Sequence, residues 1–409
     1  MKILHTSDWH LGRSLFNRKR YEEFHAFLSW LGDIIEEEEI QVLLVAGDVF
    51  DNNAPSHRAQ ELYYRFLCRI AQSSCRHVIL TAGNHDSPSF LNAPREVLRF
   101  LNVYVIGSIG EDFTDEVLLL RNPQGEPELI VCAVPYLRDR DIRRVESGEG
   151  WEDKERKLLE GIREHYHQVC GQAEKIRESI GRPLPIVAMG HLFAAGGSTV
   201  EGDGVRDLYV GSLAHVGVEI FPSSIDYLAL GHLHSPQSVG EKEYYRYSGS
   251  PLAMGFGEAG REKSVCKLQW SEQGPEVTQI TVPVFQVLRR IEGDWTSIQE
   301  GIESLIREEL KVWVEIIYNG EEILTDLRER IEEAVQGSSI DVLRIKNNRI
   351  LDGELLGINE EEMLGELDID EVFSRCLDVN EILENQRPEL WNTYREVIAS
   401  LQEEDLMAE

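Results

Sequence analysis

The chain has 409 residues, 42% of them apolar, enough for one large core and at least one smaller domain. No run approaches the roughly 18 consecutive apolar residues of a membrane-spanning helix, and Met1-Lys2-Ile3-Leu4-His5 enters a strand-like run without a secretory signal, so a cytoplasmic protein with no membrane partner is expected. The net charge of −32 argues against a basic nucleic-acid footprint, but residues 353–409 hold 17 acidic against 3 basic side chains and residues 1–100 only 13 against 11, so the acidity lies away from the segment that carries the chemistry.

Short apolar runs that end in polar residues come first: Ile3 to Asp8, Val42 to Asp48 and Val78 to His85. Ile186 to His191 and Tyr227 to His234 follow. Runs of about five apolar residues suit strands buried on both faces. Between the early runs, residues 21–38 and 57–71 show apolar stripes at helical spacing. Alternating strands and helices predict an α/β layered core, in which ligands collect at the carboxyl ends of strands. The pattern restarts beyond Val282-Pro283 as strand 284–291, helix 295–309, strand 311–318, helix 321–335 and strand 341–346. The expected division is therefore 1–282, 283–350 and an acidic tail, 351–409. In the tail Leu390, Trp391, Tyr394, Val397, Ile398 and Leu401 recur at helical spacing after Pro388. The six cysteines are scattered with no C-x-x-C, which indicates neither a zinc knuckle nor a disulfide framework.

Five strand ends supply Asp8, His10, Asp48, Asn84, His85, His191, His232 and His234. A lone Asp at a strand end is usually a turn or cap residue, and a lone His usually a satisfied core or surface side chain. Five unconnected strands ending in carboxylate, imidazole or carboxamide are hard to explain by packing. Asp8-Trp9-His10 and His232-Leu233-His234 also place two ligand types at i and i+2, on one side of an extended chain. The set lacks thiolate, which suits Mn²⁺, Mg²⁺, Fe or Zn. Two ions about 3.5–4 Å apart, bridged by a carboxylate, would use more ligands than one ion needs. Such a pair binds a phosphate oxygen, activates water and stabilises an in-line transition state.

In order and type, Asp8-x-His10, Gly47-Asp48-x-x-Asp51, Gly83-Asn84-His85-Asp86, Gly190-His191 and Gly231-His232-x-His234 resemble the five signature motifs of the calcineurin-like metallophosphoesterases. The wider contexts His5 to Gly12, Gly83 to Pro88, Gly231 to Gln237 and Tyr247-Ser248-Gly249-Ser250-Pro251 resemble the SbcD family, bacterial counterparts of the nuclease that processes double-strand breaks in archaea and eukaryotes. The resemblance implies an α/β fold: a layered β-sandwich flanked by helices, with a small α/β capping domain that closes over the site and a helical C-terminal tail. One divalent ion, Mn²⁺ foremost and Mg²⁺ as the alternative, would be held by Asp8, His10, Asp48 and His234. A second would be held by Asp48, Asn84, His191 and His232, with Asp48 as the catalytic bridge. His85 is not a ligand in the family; its implied catalytic role is to orient the phosphate and protonate the leaving oxygen. The implied activity is that of a nuclease subunit, exonuclease on double-stranded ends and endonuclease on single strands and hairpins, in DNA repair, recombination and replication.

The chain has no Walker A pattern, so an ATP-driven step must come from another chain; in the family this is SbcC, a coiled-coil ATPase. The implied assembly is a homodimer within an SbcC2–SbcD2 heterotetramer, associated with the nucleoid when acting. Tyr63, Phe66, Leu67, Val97, Leu98 and Phe100 exceed what one core-facing stripe needs, which points to helices 57–72 and 89–101 as the dimer surface. Arg13, Arg18, Lys19 and Arg20 stand as phosphate contacts or a solvated cluster. Arg138, Arg140, Arg143 and Arg144, interleaved with Asp139 and Asp141, read as a salt-bridged face. Ser248 and Ser250 are either channel-lining or turn residues, and Asp51 and Asp86 order the ligand loops. Trp391 and Tyr394 either cap a local core or, as the preferred reading, dock onto a partner. The competing reading is a metallophosphodiesterase acting on a small molecule or phosphoprotein, which has little use for a second domain and a terminal helix. A non-catalytic scaffold would not keep a costly cluster of polar groups together.

Overall fold

The computed structural model describes residues 1–143, 151–194, 216–240, 242–271, 274–320, 322, 324 and 326–347, with 370, 373–374, 377–378, 387–388 and 390–395 of the tail. The five apolar runs form strands Lys2–Thr6, Val42–Ala46, His77–Thr81, Ile186–His191 and Tyr227–Gly231, all but the first residue buried. One six-stranded sheet has the order Gly274–Val282, Lys263–Ser271, Lys2–Thr6, Val42–Ala46, His77–Thr81, Val103–Ile106. Its last four strands are parallel and the hairpin at the other edge is antiparallel. The second has the order Gln237–Val239, Lys242–Tyr247, Tyr227–Gly231, Ile186–His191, Pro127–Ala133, Val117–Arg121.

The sheets pack face to face, with Ile3, Val42, Leu44 and Ile79 of the first against Val131, Val187, Met189 and Ala229 of the second. Helices Tyr21–Glu37 and His57–Ile70 cover the outer face of the first sheet through Phe24, Phe27, Leu31 and Leu67. Helix Trp151–Ile180 covers the second through Ile162, Tyr166, Val169 and Ala173. Each fully buried Leu, Ile or Val stabilises this arrangement by about 1.5–3 kcal/mol relative to its exposed state. The layering is therefore helix, sheet, sheet, helix, as expected. The periodicity reading passed over several elements, among them the outer strands of both sheets, the long helix Trp151–Ile180 and the hairpin strand Gly274–Val282. The long helix carries one apolar position per turn among charged residues, and the hairpin strand Gly274–Val282 is half exposed along its length.

Two expectations need correction. Tyr63, Phe66 and Leu67 are buried, as is Leu98. They serve the core because helix His57–Ile70 packs against both the sheet and its neighbouring helix; Trp9, for example, sits edge-on to both Phe27 and Phe66. Only Val97, Phe100 and Leu101 of that surface are exposed, beside two short helices, Pro88–Asn92 and Arg95–Arg99. The basic cluster after the first motif is also largely committed to protein partners. Arg20 is buried against Glu23 at 2.7 Å, Arg18 reaches Asp341 at 3.2 Å and Arg13 reaches Asp51 at 3.1 Å. The salt-bridged face holds, with Arg143 on Asp139 at 2.5 Å, while Arg144 lies outside the described residues.

Beyond Val282 the parallel strands Val287–Gly293, Val312–Tyr318 and Ile340–Asn347 form a separate three-stranded sheet. Helices Trp295–Arg307 and Leu327–Val335 share its own core of Ile298, Ile302, Val314, Ile316 and Ile331. This unit meets the large one where Leu288 and Trp313 pack with Leu15 and Phe256. In the tail, Tyr394 stacks on Phe373 at 4.0 Å and Trp391 lies edge-on to it at 4.9 Å, so both aromatics have a partner within the tail itself. Val397, Ile398 and Leu401 of the expected tail helix lie outside the described residues. Among the described residues, no helix is long and apolar enough to cross a membrane.

Between the two sheets, His5 Nδ1 lies 3.0 Å from the Tyr227 hydroxyl, which joins the strands that lead to both ends of the ligand set. Burial pushes the His5 imidazole from 6.5 to about 3. The folded state therefore keeps it neutral where the unfolded chain takes up a proton. The His5 contribution to stability is full above pH 6.5 and falls as the pH drops from there toward 3, with a slope of up to about 1.4 kcal/mol per unit. In His5→Asn, the loss in urea midpoint between about pH 7 and about pH 5 should shrink; an unchanged loss contradicts this source of acid sensitivity.

Candidate metal centre

All eight expected residues come together at the carboxyl ends of strands from both sheets. The regular strands stop at Thr6 and Gly231, just before the ligand pairs. Asp8, His10, Asp48 and His232 take left-handed backbone, with φ of 53°, 47°, 49° and 101°. The i and i+2 pairs thus reach the site through tight turns rather than along an extended chain, a correction to the geometric argument from spacing. Non-glycine residues in this region carry strain and gather at functional sites. Backbone bonds hold the turns: Asp8 N donates to Gly47 O at 3.0 Å and His10 N to Asp48 O at 3.0 Å. Trp9, between the two ligands, points away into the core and donates to Thr6 Oγ1. A side chain on Gly83 would run into the Asp48 carboxylate, and one on Gly47, at φ 83°, into the His191 ring.

Asp48 lies at the centre. Its Oδ2 is 3.3 Å from His191 Nε2, 3.6 Å from His10 Nε2 and 4.0 Å from His85 Nε2, and its Oδ1 accepts from His85 N at 2.9 Å. On one side His10 Nε2 and His234 Nε2 face each other at 3.2 Å, with an Asp8 oxygen within 4.8 Å. On the other, His191 Nε2 faces Asn84 Oδ1 at 3.0 Å, and the His232 ring is 5.3 Å from the His191 ring. His232 N donates to Asp8 Oδ1 at 3.0 Å. Ring nitrogens and carboxylate oxygens that face one another in a buried space are a donor set shaped for cations, and hard and borderline donors without thiolate suit divalent ones.

The charges lean the same way. Burial pushes the Asp8 carboxyl up to about 6. Burial acts upward on Asp48 too, but His191, His85 and His10 outweigh it and hold Asp48 well below the usual carboxylate range. Burial lowers His191, yet Asp48 more than reverses this and raises it to about 9, while burial leaves His232 at about 3. A bound cation would replace the protons in this balance.

Outside the ligands, His85 Nδ1 is 2.9 Å from the Asp51 carbonyl, which orients its Nε2 toward Asp48. Asp51 Oδ1 lies 3.4 Å from His10 Nδ1 and accepts from Arg13. Asp86 accepts from the N–H groups of Val49, Phe50 and Gly83, tying the second and third motifs together. Both acidic residues thus order the ligand loops as expected. Ser248 and Ser250 are wholly buried, so the channel-lining alternative falls. The spacing argument missed Ser7, whose hydroxyl donates to Asp8, and the buried pair Lys263–Glu258 beside His234. A lysine on a hairpin strand gives no sequence signal of burial.

The four-layer fold and the buried cluster of His and Asp donors define a phosphoesterase class, and family comparison agrees. A model described as "Calcineurin-like phosphoesterase" matches residues 1–236, and one described as "Type 5 capsule protein repressor C-terminal domain" matches residues 284–381. The chain is 36% identical over 404 residues to the SbcD subunit of the nuclease SbcCD of Escherichia coli (strain K12), covering 98% of each. It is 37% identical over 274 residues to the same-named protein of Rhodobacter capsulatus, 66% of each, and 35% over 280 residues to that of Bacillus subtilis, 68% of each. The chain belongs to the SbcD family of calcineurin-like phosphoesterases.

Proposed function

We propose that this chain is a DNA nuclease subunit that works with two divalent ions, Mn²⁺ foremost and Mg²⁺ as the alternative. The observation that carries the reading is the convergence of Asp8, His10, Asp48, Asn84, His191, His232 and His234 on one buried point, with one carboxylate facing both halves of the set. Bound there, two ions would supply Lewis-acid activation of water and of the phosphodiester. Asp48, ionised among its imidazoles, would be the shared ligand. His85, its Nδ1 engaged by the Asp51 carbonyl, would present Nε2 to the phosphate and protonate the leaving oxygen.

The reading extends to the chain's setting. The relatives' name places them in an SbcCD complex. By that likeness the chain works in the cytoplasm with an SbcC-type coiled-coil ATPase, as two copies of each. It cleaves double-stranded ends, single strands and hairpins in repair, recombination and replication. Residues 1–282 carry the chemistry, 283–350 cap the site, and 351–409 dock the partner. A small-molecule phosphodiesterase would use the same ligands but leave the second unit and the tail without a task.

His85→Ala should keep both metal equivalents by elemental analysis and lose cleavage of labelled duplex DNA; loss of a full equivalent makes His85 a ligand instead. Asp48→Ala should lose both the activity and the metal pair. The exposed Val97, Phe100 and Leu101, with Phe100 90% accessible, fit a homodimer contact. Light scattering should give twice 46.7 kDa for the wild type and a shift toward monomer for Phe100→Glu; a wild-type monomer at micromolar concentration ends the idea. Deleting residues 384–409 should leave metal-dependent cleavage of single-stranded DNA nearly intact and remove co-purification with the ATPase partner; full co-purification places the docking site elsewhere.

A further inference from the structure

The segment Tyr247-Ser248-Gly249-Ser250-Pro251 is buried throughout, yet no step of the proposed reaction uses it. Two threads run from it. Ser248 Oγ lies 2.9 Å from Ser7 Oγ, and Ser7 Oγ donates to the Asp8 carboxylate. Ser250 N donates to the His234 carbonyl at 3.1 Å. That carbonyl also accepts from Lys263 Nζ at 3.0 Å, and Nζ donates further to Ser250 Oγ at 3.0 Å and Glu258 Oε1 at 2.5 Å. Glu258 Oε2 closes the loop by accepting from Met254 N at 2.6 Å. Gly249 holds the turn at φ 76°, where a Cβ would press on the His234 carbonyl.

Lys263 is 7% exposed and Glu258 fully buried. Desolvating such a pair costs stability that its mutual attraction often fails to return. The pair therefore calls for a role other than stability, and its geometry supplies one: the ammonium fixes the backbone of a ligand histidine. Both threads end on the same half of the ligand set, at Asp8 and His234. The other half draws largely on different elements, with His191 Nδ1 on the Ala46 carbonyl at 3.0 Å and Asn84 beside it, and it meets the first thread where His232 N donates to Asp8.

We infer that Lys263, Glu258, Ser248 and Ser250 are positioning residues for one of the two ions, the one on the Asp8, His10 and His234 side, and leave the other site alone. The inference rests on the two-ion reading above. Partners behind the ligands typically change metal affinity by roughly 10- to 100-fold, so the expected signature is one weakened site beside one unchanged site.

The test is a calorimetric titration of the metal-stripped full chain with Mn²⁺. Lys263→Met with Glu258→Gln removes the ammonium and leaves no unpaired buried charge; Ser248→Ala breaks the other thread with little change in volume. The wild type should bind two equivalents. Each variant should bind one as the wild type does and the other roughly 10- to 100-fold more weakly, with an unchanged melting temperature in metal-free buffer for Ser248→Ala. Two wild-type equivalents and variants that bind like it overturn the positioning role alone, as does equal weakening of both sites in a variant that melts normally. A wild type that saturates below two equivalents overturns the two-ion reading and this role with it. If the double variant does not fold, the Ser248→Ala titration decides by the same criteria.

Discussion

Everything at the ligand end of the fold is arranged around one buried carboxylate. Asp48 is 2% exposed, and three imidazoles lie within 4.0 Å of its Oδ2. Such a group is strongly disfavoured in an apolar interior unless positive charge surrounds it. Residues from several sequence-distant strand ends meet this need. Asp48 and His85 come from the first sheet, and His191, His232 and His234 from the second. Facing the two sheets across a shared core therefore creates the site. Neither sheet alone supplies a full set.

The turns that bring the ligands in are strained, and the strain is offset locally. Four ligand residues adopt left-handed backbone. Main-chain bonds pin the first turn to the second, His232 N donates to the Asp8 carboxylate, and Asp86 gathers N–H groups from the second and third motifs. Trp9 adds apolar anchorage between Asp8 and His10. A ligand set held this way is preorganised, so metal binding has little loop ordering to oppose it. The small unit reaches the same region through Leu15 and Phe16, the hairpin directly after the first ligand pair, where Phe16 stacks on Phe256 and Arg344 lies over its ring.

Much of this was legible in the sequence because burial on both faces leaves a plain signature. Apolar runs ending in Asp, Asn or His mark strands with a site at their ends, and the small unit's alternation of strands and helices read in the right order, its second helix starting at Leu327 rather than 321. The residues that converge at the site could be named because their chemistry is unusual at strand ends. What stayed hidden depends on tertiary context. The helix Trp151–Ile180 has too sparse an apolar face to stand out, and Phe66 and Leu67 looked surplus until a second helix covered them. Lys263 and Glu258 drew no reading at all, and Arg20 stood between a phosphate contact and a solvated cluster, because nothing local shows that a charge will be buried with a partner.

The central claim is that Asp48 serves two ions at once, about 3.5–4 Å apart. Electron paramagnetic resonance of the protein loaded with two equivalents of Mn²⁺ tests it most directly. Ions that share a carboxylate should give an exchange-coupled spectrum, and Asp48→Ala should abolish it. A spectrum of two magnetically isolated Mn²⁺ ions in the wild type would contradict the account.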